Sequence, residues 1–324
     1  MKLVSYESGK QPRLGVVEKE WIIGVRPAIE LVKQPRRVPR GAAQRPSFKA
    51  ATRVILDAKF VPRDMIELLE RGERWRKALG VITSTLAKSL DPAKAPHGMF
   101  TPLAKARLLA PIPRPGKITC IGLNYADHAS EGGGKAPEKP IFFLKSGNTI
   151  CGPGDPIRLP PNSSQVDYEA EFAVVIGKRG SRIPEEKAYE YVAGYMILHD
   201  VSARDMQFGD GQWYRGKSCD TFAPTGPWIV TSDEIRDPHK LKISLTLNGE
   251  TMQDSNTSNL IFSVPFLVSY LSQSVTWEVG DLMSTGTPPG VGVFRKPPVF
   301  LKDGDTVSIS VEGIGTLTNS VEGA

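Results

Sequence analysis

Residues 166–177 read VDYEAEFAVVIG. The second half, FAVVIG, is apolar, so the strand it forms belongs against a core rather than in bulk water. The first half sets Asp167, Glu169 and Glu171 at every second position, and an extended chain places all three on one face. Neighbouring carboxylates on that face lie about 7 Å apart and repel each other, a poor choice for a half-buried sheet. A hard divalent cation removes the repulsion; a solvated edge face tolerates it. The local pattern alone leaves both readings open.

Downstream, the next apolar strand lies in AGYMILHDVSARD and closes on Asp200, where a polar residue just past a buried strand sits at a sheet end. Glu169, Glu171 and Asp200 would make a set of hard oxygen donors suited to Mg²⁺, Mn²⁺ or Ca²⁺ rather than zinc. Three carboxylates leave about three of six coordination positions for water and substrate, an open, catalytic kind of site.

The same texture of short strands broken by Gly, Pro, Asn and Asp runs through ITCIGLNY, KISLTLNG and TVSISVEGIGTLTNSV, with short helices in IPEEKAYEYV and VPFLVSYLSQ. This is an α+β pattern dominated by β, with a sheet that folds back on itself. Residues 1–105 read as a smaller N-terminal α+β domain: strands in KLVSYES and PRLGVVEKEWIIGV, then one or two amphipathic helices in RDMIELLERGERWRKALGVITSTLAKSL, interrupted at Gly80. Residues 106–116 form a Pro-rich linker, and 117–324 a larger, strand-rich domain.

Bulk composition narrows the function classes. With 31 Gly and 27 Pro among 324 residues, the chain suits turns and short strands rather than a helical bundle. No apolar run approaches the roughly 18 residues of a membrane span. MKLVSYESGK lacks the apolar region of a signal peptide and reads as a first strand. Cys120, Cys151 and Cys219 form no Cys-x-x-Cys pair, which points to free thiols in a reducing compartment, the cytoplasm or the mitochondrial matrix. The formal net charge of +6 is local: Lys33, Arg36, Arg37, Arg40, Arg45, Lys49 and Arg53 occur with no acid between them, and without those seven the remainder carries −1. This Pro-interrupted run reads as a solvated loop. Only Phe48 interleaves with its basic residues, so a nucleic-acid groove is poorly supported.

Three further stretches carry chemistry. In NYADHASE, His128 and Glu131 are one helical turn apart, the spacing at which a carboxylate can orient an imidazole as a general base. A surface contact is the plainer alternative, but the Gly- and Pro-rich EGGGKAPEKP that follows resembles a lid. Lys217 lies in WYRGKSCDTFAPTGPW, where residues 211–218 match GxxxxGKS in letters. The prolines downstream forbid the long helix that a phosphate-binding loop requires, so nucleotide binding is rejected. TGTPPGVGVF, residues 285–294, is a loop able to offer N–H groups and the hydroxyls of Thr285 and Thr287 to a carboxylate.

Taken in order, GLNYADHASE, VDYEAEFAVVIG, AGYMILHDVSARDMQ, GKSCDTFAPTGPWIV, NGETMQDSNTSNLIF and GDLMSTGTPPGVG resemble the fumarylacetoacetate hydrolase superfamily from about Lys117 to Val321. Within it, GTPPGVGVFRKPPVFLKDGD is most similar to the subgroup called fumarylacetoacetate hydrolase domain-containing protein 2. The resemblance implies a mixed β-roll of the family's C-terminal type and a homodimer. It implies Glu169, Glu171 and Asp200 as ligands of Mg²⁺ or Mn²⁺, His128 with Glu131 as catalytic dyad, Lys217 as active-site lysine, and Gln207 and Thr287 as contacts to substrate oxygens. It implies a small 2-oxo acid substrate, oxaloacetate-type tautomerisation or decarboxylation ahead of acylpyruvate hydrolysis, and no nucleic-acid or membrane partner. A non-catalytic scaffold retaining the fold is the alternative from another class. The founding branch of the family has a further aspartate ligand before its histidine. None takes that place here, which speaks against fumarylacetoacetate itself as substrate.

Overall fold

The computed structural model describes residues 1–127 and 136–323. The strand Ala170–Ile176 lies at its centre, with all seven residues buried. Alternation sends Phe172, Val174 and Ile176 to one face, where they join Ile243, Leu245, Val307 and Ile309 of a second sheet. Ala173 and Val175 face the other way, into the core that also takes in Leu79, Ile82 and Leu86 of the helix Gly72–Ser89. A strand covered on both sides must be apolar throughout, which is why FAVVIG carries no alternation of its own.

The main sheet has twelve strands. The central strand pairs antiparallel with Val192–His199 on one side and Leu282–Ser284 on the other. Beyond Leu282–Ser284 come Ile118–Gly122, parallel to it, and the edge strand Ile141–Lys145. On the far side Val192–His199 pairs with Ala223–Thr231, and that strand pairs through Val230 and Ile229 with Lys2 and Leu3, so the N-terminal strands continue the same sheet. The second sheet has five strands. Its strands Lys242–Leu247, Thr306–Val311 and Gly315–Glu322 bury every second residue, the period-two pattern visible in their sequences. The architecture is α+β and β-dominated, two mixed sheets packed face to face with helices over the outer face of the larger.

Three local expectations differ from what is observed. VDYEAEF is not one continuous strand: Val166–Asp167 pairs with Ser202–Ala203, the chain leaves strand geometry at Tyr168 and Glu169, and re-enters at Ala170. The cause is Asp167, whose carboxylate accepts from the N–H groups of Gly292 (2.7 Å) and Val293 (3.0 Å) and from Arg204 Nε (2.8 Å). The basic run at 33–53 is mostly helical, with Pro46–Asp57 burying Phe48, Ala51 and Ile55. Pro46 occupies the first turn, where its missing N–H costs nothing, so the proline starts a helix rather than breaking one. Gly80 does not interrupt its helix; the break falls at Arg71–Gly72, where Gly72 has φ +77°.

Gly292 is where main chain and carboxylate come closest: a Cβ there would lie 1.8 Å from the Val299 carbonyl oxygen and 2.6 Å from Asp167 Oδ1. Gly292→Ala is therefore expected to cost about 3 kcal/mol or more in urea denaturation. A loss below about 0.5 kcal/mol, the range of neutral surface changes, would contradict this packing.

Candidate active site

The break in the strand before Ala170 brings four acids together below the protein surface. Asp167, Glu171 and Asp200 are at most 1% exposed and Glu169 is 6% exposed. The two ligand segments are tied to each other, since Asp200 N donates to the Glu169 carbonyl at 3.0 Å. Glu169, Glu171 and Asp200 each offer an oxygen, and the three lie within 4.8 Å of one another. Ligands on opposite sides of one Mg²⁺, Mn²⁺ or Ca²⁺ ion stand about 4–5 Å apart, so the spacing fits one shared cation.

Three buried cations answer these acids. Arg204 joins Asp167 through Nε (2.8 Å) and Glu169 through Nη2 (2.7 Å). Lys217 Nζ lies 2.8 Å from both Glu169 Oε2 and Asp200 Oδ2. Lys145 Nζ is 2.6 Å from Asp200 Oδ1 and donates to the Val201 carbonyl at 3.0 Å. Burial works against the Lys217 ammonium, yet Asp200 and Glu169 outweigh it and its pKa is raised. Arg204 is likewise held charged against burial by Glu169 and Asp167.

Glu171 is the exception. It accepts hydrogen bonds from Ser284 Oγ and from Gly286 N (2.9 Å), and among the described residues it has no cationic partner. Burial, reinforced by Asp200 and Glu169, pushes its carboxyl well above the usual range. A buried carboxylate facing two others and lacking a counter-charge is what a divalent cation at this position would satisfy. The residues fit the ion.

The loop at 285–294 does offer N–H groups to carboxylates, but they are the protein's own: Gly286 serves Glu171, and Gly292 and Val293 serve Asp167. The hydroxyls of Thr285 and Thr287 go to the carbonyls of Phe172 (2.8 Å) and Ala170 (3.0 Å). Gln253 completes the clamp. Its Oε1 accepts from Ala170 N at 2.9 Å while Nε2 donates to Thr287 Oγ1 at 2.9 Å and to the Pro288 carbonyl at 2.7 Å.

A cavity of about 230 Å³ opens over the carboxylates, with Glu169, Glu171, Arg204, Gln207, Lys217 and Thr287 among its lining. Phe143 and Trp213 form an apolar wall, packed edge to face at 5.2 Å, and Lys217 Nζ lies 5.0 Å from the Phe143 ring centre. Gly122 makes room for Trp213, since a Cβ there would stand 2.6 Å from the indole. Gln207 accepts at Oε1 from Arg204 Nη1 (2.9 Å). A guanidinium only donates, so the amide orientation is fixed and the NH₂ group is the end left for a ligand.

Glu169, Glu171, Asp200, Lys217, Gln207 and Thr287 thus share one cavity. His128 and Glu131 lie outside the described residues, as does the first half of the Gly- and Pro-rich stretch, residues 131–135. Asp127, just before, accepts from Ser255 Oγ (3.1 Å) and Asn259 Nδ2 (2.9 Å). Lys145, Arg204, Asp167 and Gln253 were not among the expected site residues. The letters FFLKS and GETMQ give no local cue, because Lys145 meets Asp200 across 55 residues, Arg204 meets Asp167 across 37 and Gln253 meets Ala170 across 83.

Residues 117–322 match the model of the fumarylacetoacetate (FAA) hydrolase C-terminal family. The chain belongs to the fumarylacetoacetate hydrolase family. A mitochondrial oxaloacetate tautomerase of Rattus norvegicus is 49% identical over 262 residues, covering 81% of this chain and 80% of that protein. Among solved structures, a fumarylacetoacetate hydrolase from Exiguobacterium antarcticum superposes with TM-score 0.77 at 34% identity, covering both chains fully. A 5-carboxymethyl-2-hydroxymuconate delta-isomerase from Mycobacterium smegmatis does so with TM-score 0.70 at 35% identity, over 100% of this chain and 99% of that one. Family members so similar are enzymes that rearrange or cleave small molecules, and the buried acid cluster here agrees with divalent-metal dependence.

In metal-free protein the raised pKa keeps Glu171 partly protonated at pH values where an ordinary carboxyl is ionised. Loading a divalent cation should therefore release a proton, and apparent affinity should fall as pH is lowered. Titration calorimetry with Mg²⁺ in buffers of different ionisation enthalpy reads this directly. Buffer-independent heats would mean that Glu171 binds metal without losing a proton.

Proposed function

We propose that the chain is a divalent-metal-dependent oxaloacetate tautomerase, acting on a small 2-oxo acid with Mg²⁺ or Mn²⁺ held by Glu169, Glu171 and Asp200. The observation that carries this reading is the buried carboxylate cluster with Lys217 at its edge, together with the 49% identity to a protein named for that activity. The bound cation supplies Lewis-acid polarisation of the 2-oxo group.

The chain's own residues do the rest. Interconversion of keto and enol moves one proton from C3 and one onto the 2-oxygen, with no net change in charge. Negative charge develops at that oxygen, and Lys217, kept protonated by Asp200 and Glu169, lies at the cavity floor where it can face it. Gln207 offers its NH₂ to a carboxylate or carbonyl oxygen of the substrate. Thr287 has its hydroxyl engaged on both sides, so its contribution is as wall and hydrogen-bond acceptor rather than donor. The apolar wall of Phe143 and Trp213 limits water and raises the effect of each charge. His128 with Glu131 is the pair we assign to proton transfer at carbon. A homodimer is expected from the family, and the mitochondrial relative favours the mitochondrial matrix. No helix among the described residues is long and apolar enough to cross a membrane.

Cleavage of an acylpyruvate is the second reading, supported by the similarity to a fumarylacetoacetate hydrolase. It requires a water activated by His128. An NMR time course with Mg²⁺ or Mn²⁺ should show accelerated enol loss from oxaloacetate that exceeds turnover of acetylpyruvate and fumarylpyruvate. The reverse ranking would favour the hydrolase. Glu169→Gln and Lys217→Met are each expected to lower tautomerisation by about 10²–10³-fold. Full metal-stimulated activity in Glu169→Gln would sink the ligand assignment.

A further inference from the structure

Away from the catalytic cavity, the helix Gly72–Ser89 carries a buried cation that lacks a counter-charge. Arg76 is 7% exposed. Its Nη1 donates to the Leu69 carbonyl at 3.1 Å, closing the end of the helix Met65–Glu70. A guanidinium has five donors, and that bond uses one. Among the described residues no carboxylate is in ion-pair contact with it: Glu73 is taken by Lys77 at 2.5 Å, and Asp233 acts only through space. Burial therefore dominates and its pKa is lowered, with Glu73 and Asp233 offsetting only part.

Arg76 lines hollows of about 730 Å³ and 630 Å³, and the larger also holds Glu18, Glu73, Asp233 and Glu234, which oppose an anion there. In the smaller, the other charged groups are Lys178, Arg179, Glu70, Glu73 and Glu190, all exposed and therefore solvated. Arg179 is already paired with Glu278 at 3.0 Å, and Lys178 sits over the Tyr191 ring at 4.6 Å. Arg76 is the most buried charge there. Gly177 and Val192 also line this hollow. They mark the ends of the two strands opposite those that bear Glu171 and Asp200, so the hollow is distinct from the catalytic cavity.

We propose that Arg76 is the anchor of a second ligand site, which binds a small oxyanion in the groove between the helix Gly72–Ser89 and the main sheet. A planar guanidinium with free donors matches a carboxylate or phosphate in two-point contact, a geometry chloride does not offer. Glu73 at the rim opposes the anion and weakens the site.

The test is calorimetric titration of Mg²⁺-loaded protein with inorganic phosphate and, separately, succinate at constant ionic strength. Whichever anion binds tighter names the chemical class. Arg76→Gln should weaken that binding at least tenfold while leaving oxaloacetate turnover unchanged. Glu73→Gln should tighten it several-fold, a change of opposite sign that loss of helix stability would not produce. Anion binding in the catalytic cavity would persist equally in both variants. The proposal is overturned if neither anion binds saturably, if Arg76→Gln binds as wild type does, or if Glu73→Gln leaves the affinity unchanged.

Discussion

Four carboxylates meet where two neighbouring strands end, buried from water, and most of the surrounding structure is arranged around that charge. Each buried ion costs several kcal/mol in lost hydration, while a domain's whole stability is of order 5–15 kcal/mol. Unanswered, the cluster would unfold the protein. Asp167 is answered by Arg204 and two main-chain N–H groups, Glu169 by Arg204 and Lys217, Asp200 by Lys145 and Lys217. Three cations against four acids leave Glu171 without a cationic partner among the described residues, and burial raises its affinity for a proton. A divalent cation would displace that proton, and the added ion would leave the site net positive for an anionic 2-oxo acid.

Much of the remaining geometry keeps these groups from rearranging. Asp167 bends the chain out of strand geometry, so that Glu169 and Glu171 are brought to one point instead of standing apart along a pleat. Gln253 and Thr287 hold the main chain of Ala170 on both its N–H and its carbonyl. Glycines at 286, 290 and 292 let the second loop approach closely enough to donate N–H groups; at Gly290 a Cβ would stand 2.1 Å from the Met252 carbonyl oxygen. The cavity is polar at its floor because the acids are there, and apolar at its wall because Gly122 admits Trp213 against the sheet.

The two buried arginines make a useful contrast. Arg204 is fully engaged by Asp167, Glu169 and Gln207 and acts as a bracket. Arg76 has one carbonyl and lines two hollows. Burial alone is similar for the two; the presence or absence of facing carboxylates separates a structural arginine from one poised for a ligand.

The sequence by itself determined the period-two and apolar patterns that make the sheets, and the ordered segments that carry Glu169, Glu171, Asp200, Lys217, Gln207 and Thr287. Those signals are local: alternation over a few residues, or a short run of letters. It also supported readings that tertiary packing overturned, a basic loop at 33–53 that is mostly short helices and a three-carboxylate strand face that is broken at Tyr168. Only the tertiary structure decided which acids converge and which cations meet them. Lys145 reaches Asp200 across 55 residues, Gln253 reaches Ala170 across 83, and Ser284 reaches Glu171 across 113. No local pattern encodes such pairings, because they follow from strand order and register, which are set by the burial of the whole sheet.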